Sequence, residues 1–108
     1  MMSCTFKITN TGISEDQAQN EYVVDGVKCP RLELNIGVTY IFKNDNDGCP
    51  LYITRDAIGG SNKLKDKLEL QSDKSGNIIF IPTAEHKNMK LYYQCDRYRL
   101  MGNRIIII

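Results

Sequence analysis

Short segments in which apolar and polar residues alternate recur along the whole chain. The clearest is Arg31–Ile36, where Leu32, Leu34 and Ile36 fall on one face and the residues between them on the other. A period of two residues is typical of a β-strand that buries one face. On this pattern, and on the enrichment in β-branched and aromatic residues, strands are predicted at residues 5–9, 22–24, 31–36, 39–42, 51–54, 78–81, 91–94 and 104–108.

Turn-forming residues separate the predicted strands at near-regular spacing. Asn10–Gly12, Asp25-Gly26 and the cluster Asn44–Gly48 are turn signals. One stretch, Lys63–Leu70, could instead form one or two helical turns. About eight short strands separated by turns predict an all-β sandwich or a small barrel. Since 108 residues are near the common domain size, and no repeat or linker is visible, one domain over residues 1–108 is predicted.

Composition and charge narrow the classes of partner. With 42% hydrophobic and 25% charged residues, the chain has the composition of an ordinary soluble globular protein. A net charge of +1 gives no electrostatic reason to expect a nucleic-acid partner. The longest apolar run, Ile105–Ile108, is far too short to span a bilayer, and Met1–Asn10 lacks the apolar core of a signal peptide. The compartment stays open; frequent Ile, Asn and Lys suggest an AT-rich genome, such as that of a large DNA virus.

The cysteines and the single histidine exclude several kinds of site. Four cysteines lie far apart with no Cys-x-x-Cys pair, which excludes the usual zinc-finger and zinc-ribbon spacings. His86 is the only histidine and lies in the polar stretch Thr83–Asn88, where a solvent-exposed loop position is expected. One histidine without a motif around it leaves Ser/His/Asp and Cys/His arrangements with little support. The chain is therefore predicted not to be an enzyme.

Two segments carry a more specific pattern. The first runs from Tyr40-x-Phe42 to Asp47-Gly48-Cys49-Pro50-Leu51, and the second is Leu91-Tyr92-Tyr93-Gln94-Cys95 followed by Tyr98 and Met101-Gly102. In their order, spacing and placement on strands, these segments resemble the cupredoxins, the blue-copper-like domains. The resemblance covers residues 22–108. It implies a cupredoxin-like Greek-key β-sandwich of about eight strands.

The resemblance also implies a position for a copper ion, but two of the ligands that copper needs are missing from it. A blue-copper centre uses two imidazoles, one thiolate and a weak axial thioether. Cys95 matches the thiolate and Met101 the thioether, but Cys49 and Tyr98 stand where the family has its two histidines. A type 1 copper site formed by these four positions is therefore expected to be vacant, and no cofactor is predicted.

The resemblance places Cys49 and Cys95 close together, and three arrangements of the pair stay open. They could form a disulfide that replaces the metal as a cross-link, or bind Cu(I) or another thiophilic ion together with Met101. They could also be two reduced, buried thiols that pack as small apolar side chains. Cys4 and Cys29 are a weaker disulfide candidate, because the family's first and third strands are expected to be parallel neighbours; two free buried thiols are the alternative.

The function expected from these observations is that of a non-enzymatic structural or interaction protein on a cupredoxin scaffold that has lost its copper. Its partner is expected to be another protein or further copies of itself, as in a virion component, a surface component or one domain of a larger assembly. The alternative is a thiolate-based copper-binding or redox protein.

Overall fold

The computed structural model shows an all-β chain and describes residues 3–11, 21–44, 51–58, 67–74, 76–95, 98 and 100–108. Each of the eight predicted segments contains a strand, and two further strands of two residues each complete short hairpins. In chain order the strands are β1 (Ser3–Asn10), β2 (Tyr22–Val24), β3 (Val27–Lys28), β4 (Leu32–Leu34), β5 (Thr39–Asn44), β6 (Leu51–Thr54), β7 (Gln71–Ser72), β8 (Ile78–Phe80), β9 (Leu91–Cys95) and β10 (Arg104–Ile107).

These strands form two mixed sheets. One sheet has six strands in the order β3-β2-β1-β5-β8-β7, and the other has four in the order β4-β10-β9-β6. The pairs β1–β5 and β4–β10 are parallel, and the remaining pairs are antiparallel. The predicted all-β sandwich is confirmed.

The core lies between the two sheets because the strands alternate between buried and exposed residues. In β4, Leu32 and Leu34 are buried while Glu33 is exposed, and β5 and β10 show the same alternation. Burying apolar area at roughly 25 cal/mol per Å² is the main favourable contribution to such a core. The largest fully buried side chains come from both sheets: Ile8, Tyr22, Phe42 and Phe80 from one, and Leu34, Ile53, Leu91, Tyr93 and Ile105 from the other.

Strand β6 is at the edge of its sheet, yet all four of its residues are buried. Its free edge is covered by the segment that begins at Lys67: Lys67 forms an antiparallel bridge with Thr54, and the Leu68 N–H donates to the Ile53 carbonyl at 2.7 Å. The helical turns predicted for Lys63–Leu70 are wrong for residues 67–70, which are extended; residues 63–66 lie outside the described residues. No helix in the described part of the chain is long and apolar enough to cross a membrane.

The chain changes sheets just after the β2–β3 hairpin. Asp25 and Gly26 make the predicted turn, with φ angles of 49° and 85°. At Cys29 the backbone again takes a positive φ, 44°, and β4 then begins in the four-stranded sheet. This crossing brings Cys29 beside the segment between β9 and β10, where the candidate site lies.

Candidate functional site at the Met101 end of the sandwich

Three of the four positions that match the cupredoxin copper site belong to the described part of the chain, and all three contribute to the hydrophobic core. Cys95 ends β9 opposite Leu51, and both Cys95 and Met101 are completely buried members of the same core cluster. Tyr98 is partly buried and packs against that cluster. Cys49 lies outside the described residues, so its predicted pairing with Cys95 stays a prediction.

The backbone around Met101 is bonded to three other segments of the chain. The Tyr22 N–H donates to the Met101 carbonyl at 2.8 Å, and the Leu100 N–H donates to the Ile58 carbonyl at 2.7 Å. The Tyr93 N–H donates to the Asn103 carbonyl at 3.1 Å. Residues 100–103, hereafter the Met101 turn, are therefore fastened to β2, to the segment after β6 and to β9.

Gln94 makes a further connection that sequence reasoning missed. Its side chain is only 1% exposed and lies on the face of β9 opposite to Tyr93 and Cys95. Its Nε2 donates to the Ala57 carbonyl at 2.7 Å, while its Oε1 accepts the Gly102 N–H at 3.2 Å. One buried amide thus joins the segment after β6 to the Met101 turn. A polar residue within the run Leu91–Cys95 was the only signal for this role.

Gly102 lets the Met101 turn lie directly against β9. A Cβ atom at this position would lie 1.5 Å from the Tyr93 carbonyl oxygen and 2.6 Å from the Tyr93 carbonyl carbon. Both are backbone atoms, which cannot move aside as a flexible side chain can. The glycine of the Met-Gly pair is thus required by close backbone packing.

Cys29 and Tyr93 form a polar cluster on the other side of the Met101 turn. The Cys29 Sγ lies 3.2 Å from the Gly102 carbonyl oxygen, and Asn103 Nδ2 donates to the Cys29 carbonyl at 2.9 Å. The Tyr93 hydroxyl donates to the Pro30 carbonyl at 2.5 Å. The cluster connects the crossing between the two sheets to the Met101 turn.

The protonation of this cluster follows from its burial. Burial, and after it the negative charge of Glu21, raise the pKa of Cys29 from 9.0 to about 11. Burial and the neighbouring Cys29 also raise the pKa of Tyr93 well above its ordinary value. Both groups are therefore protonated at neutral pH. A thiol in that state is neither a good nucleophile nor a ready metal ligand.

The weaker disulfide candidate, Cys4 with Cys29, is not formed. None of the three cysteines that the structure describes is joined to another of them by a disulfide. Cys4 is exposed in β1, whose neighbours are β2 and β5, whereas Cys29 is half-buried at the crossing into the other sheet. The premise that their strands are parallel neighbours is wrong, because β1 has β5 as its parallel partner.

His86 lies at the opposite end of β9 from Cys95. It begins a one-turn 3₁₀ helix, His86–Asn88, that precedes β9. Its Nδ1 accepts the Thr83 N–H at 2.9 Å, and its ring meets the Phe80 ring edge-on at 5.0 Å between centroids. The expected solvent-exposed loop position is thus wrong: the ring is half-buried and held by a neighbour on each side. His86 therefore precedes the Leu91 end of β9, whereas Cys95 forms the other end of the strand.

The residues that the structure describes do not fit a type 1 copper. That centre needs two imidazole donors beside its sulfur ligands. The chain contains one histidine, and its Nδ1 is already engaged at the far end of β9. Among the described residues no three His, Cys, Asp or Glu side chains form a group able to hold a metal ion. Of the positions in the family pattern, Cys95 supplies a buried thiol and Met101 a buried thioether, each within the apolar core.

The sandwich defined by these two sheets has the fold of the cupredoxins. Its solved neighbours include reduced rusticyanin, with a TM-score of 0.62 and 19% identity over 100% of this chain and 81% of that chain. The copper protein rusticyanin at 18% identity gives the same TM-score, covering 100% of this chain and 79% of that one. Rusticyanin from Thiobacillus ferrooxidans, at 20% identity, gives 0.55 over 100% and 79% of the two chains. At these identities the likeness concerns the fold.

Comparison by sequence finds no relative of the chain. No model of a known protein family matches the chain, and no curated protein matches it. The predicted resemblance to the cupredoxins is thus confirmed by structure alone.

Proposed function

We propose that this protein is a non-enzymatic structural or interaction protein, built on a cupredoxin sandwich that has lost its type 1 copper site. The proposal is supported by the donor set: Cys95 and Met101 are both completely buried, and the resemblance to the cupredoxins assigns the two imidazole positions to Cys49 and Tyr98. Two sulfur donors without imidazoles cannot complete the blue-copper ligand set. The fold is therefore used for its shape and surface.

Metal analysis of the purified protein tests the loss of copper. After incubation with Cu(II) and removal of excess metal, we expect far less than one copper per chain and no intense thiolate-to-copper absorption band. Stoichiometric copper together with that band would overturn the proposal.

A variant that restores the missing donors makes the test sharper. In a Cys49→His, Tyr98→His double variant, the sequence again offers two imidazoles, one thiolate and one thioether at the positions of the family pattern. We expect this variant to bind Cu(II) and turn blue, and the same variant carrying Cys95→Ser to stay colourless. A colourless double variant that remains folded would show that lost imidazoles are not what separates this chain from a copper protein.

The surface supports a protein partner or self-assembly. Leu100 and Ile58 are 60% and 43% exposed, and a backbone hydrogen bond joins them at the Met101 end. Ile36 and Ile108, 41% and 51% exposed, are joined in the same way at the opposite end. Contiguous apolar surface is typical of interaction sites, and each of these pairs is a starting point for such a surface. Light scattering at rising protein concentration tests self-assembly, and Leu100→Asp and Ile108→Asp would show which end carries it; a constant monomer mass would exclude it.

A thiolate site is the second candidate function. The resemblance to the cupredoxins is what would bring Cys49 to Cys95, which pairs in register with Leu51 at the end of β9. With Met101 they would supply three sulfur donors, the ligand type that Cu(I) prefers. As a redox pair, the two thiols would instead lose two protons and two electrons to a disulfide oxidant such as oxidised glutathione.

Titration with Cu(I) against a competing chelator distinguishes this candidate from the first. The thiolate site predicts binding that Cys49→Ser or Cys95→Ser abolishes. The exposed Cys4 supplies the matched control, because Cys4→Ser should leave binding unchanged. Binding that survives both site substitutions would reject a site at these residues.

A further inference from the structure

We propose that the Met101 turn is held in place by a hydrogen-bonded brace of protein groups, with no need for a metal ion. The brace consists of the side chains of Gln94, Cys29 and Asn103 and the backbone groups of residues 101–103 to which they are bonded. This inference rests on the proposed function in one respect: the brace takes over the cross-linking role that a metal has when one is bound between loops.

Gln94 is the positioning residue on the face of β9 opposite to Tyr93. Both ends of its amide are used, the nitrogen on the Ala57 carbonyl at 2.7 Å and the oxygen on the Gly102 N–H at 3.2 Å. At 1% exposure the amide has little access to water, so these bonds have little competition from water. It links the segment after β6 to the Met101 turn, and the Leu100–Ile58 backbone bond of 2.7 Å runs alongside.

Cys29 and Asn103 join the Met101 turn to the crossing between the two sheets. The Cys29 thiol faces the Gly102 carbonyl at 3.2 Å, while Asn103 Nδ2 returns a bond of 2.9 Å to the Cys29 carbonyl. Both backbone polar groups of Gly102 are therefore bonded to side chains, its N–H to Gln94 and its carbonyl to Cys29. A cysteine at a positive φ of 44°, a backbone region that disfavours side chains, is consistent with a residue retained for its thiol.

The backbone amides report whether the brace acts locally. Leu100 and Tyr22 donate to Ile58 and Met101, so their exchange with solvent measures how firmly the turn is held without touching Gln94 directly. Ile36 and Gly37, which donate to Ile108 and Pro82 at the other end, serve as reference amides. The experiment is amide hydrogen exchange by NMR on the full chain, with a strong metal chelator present and then absent.

In the wild-type chain we expect the Leu100 and Tyr22 amides to be equally protected with and without chelator. In Gln94→Met, which keeps the volume and removes both bonds, we expect their exchange to accelerate by about tenfold or more, with Ile36 and Gly37 unchanged. Tyr40→Phe is the control: it removes a buried hydroxyl at the opposite end of the sandwich that accepts the Asn35 N–H, so exchange at Leu100 and Tyr22 should stay at the wild-type rate.

Several results would overturn the brace. One is chelator-sensitive exchange in the wild type, which would mean that a metal holds the turn. Another is unchanged exchange at Leu100 and Tyr22 in Gln94→Met, or an equal rise at Ile36 and Gly37. If Gln94→Met fails to fold, the pair Cys29→Ser and Cys29→Ala decides, because serine keeps a donor for the Gly102 carbonyl; equal exchange at Tyr22 in both rejects the brace. Copper content, measured on the same samples, reports separately on the lost-copper proposal.

Discussion

Backbone hydrogen bonds join distant segments at both ends of the sandwich, but at the Met101 end several side chains add to them, whereas at the opposite end, around Ile36, backbone groups make nearly all of the connections. The Met101 end depends on Gln94, Cys29, Asn103 and Tyr93. At the opposite end the Ile36 N–H donates to Ile108, the Ile108 N–H to Leu34 and the Gly37 N–H to Pro82, all through main-chain atoms. The Tyr40 hydroxyl, which accepts the Asn35 N–H at 2.8 Å, is the side-chain contribution there.

The difference concerns how strongly each end depends on residue identity. A backbone hydrogen bond forms with almost any side chain, because every residue except proline carries the same donor and acceptor. A bond made by a buried amide or thiol is lost with one substitution, and leaves its partner without a hydrogen bond. The Met101 end should therefore tolerate far fewer substitutions than the opposite end, and paired variants at the two ends can measure this.

The largest difference between the two ends in lost unfolding free energy is expected for the pair Gly102→Ala and Gly37→Ala. The methyl group of Gly102→Ala would overlap the Tyr93 backbone, so the free energy of unfolding should fall by about 4 kcal/mol or more. A Cβ at Gly37 meets nothing within 4 Å, and the φ of 86° alone should cost about 1–2 kcal/mol. Urea unfolding of both variants gives the values. Equal losses would contradict the close packing of the Met101 turn against β9.

Removal of one tyrosine hydroxyl at each end should give an intermediate difference in lost unfolding free energy. Tyr93→Phe leaves the half-buried Pro30 carbonyl without its donor and should cost about 2 kcal/mol. Tyr40→Phe removes the acceptor for the N–H of the exposed Asn35, which water can replace, so about 1 kcal/mol or less is expected. Both values come from the midpoint and slope of urea unfolding curves. A larger loss in Tyr40→Phe would reverse the proposed order of the two ends.

The smallest change in unfolding free energy is expected at alkaline pH, where Cys29 at the Met101 end loses its proton. The pKa of Cys29 is raised from 9.0 to about 11 on folding, so the unfolded chain loses this proton first as the pH rises. The stabilisation that comes from the tighter binding of this proton in the folded chain is therefore complete below pH 9. It is lost progressively between pH 9 and about 11. Unfolding free energies measured across this window should fall less steeply in Cys29→Ser than in the wild type. A Cys29→Ser slope equal to that of the wild type would contradict the assignment.

Most strands could be predicted from the sequence because their burial alternates. Leu32 and Leu34 in β4 show the period directly, and so does β10. The two-residue strands β3 and β7 could not be found, since two residues are too few to show a period. Residues 67–70 were mistaken for helix because their pattern of leucines and charges suits a helical turn. Their pairing with β6, a tertiary contact, determines their extended conformation instead.

The candidate site was predictable only in part. Cys95 and Met101, which the resemblance assigns to the metal position, are both completely buried, and their convergence on one site stays a prediction. Gln94 and Cys29 were not recognised as parts of the site, because their partners are backbone atoms of segments far away in sequence, which leave no pattern in side-chain identity. His86 was expected to be exposed because it lies in a polar stretch, although its ring packs against the Phe80 ring.

The position of β10 has a consequence for how the chain acquires its structure. It follows every other described strand in sequence, yet it lies between β4 and β9 in the four-stranded sheet. Its parallel pairing with β4 brings together residues more than seventy positions apart, such as Leu32 and Ile105. Contacts of such long sequence separation slow folding, because the entropy of closing the loop is lost before the contact is gained. During synthesis, β4 must therefore wait with an unpaired edge until residues 104–107 have left the ribosome, which makes this strand the part of the nascent chain most exposed to wrong pairing.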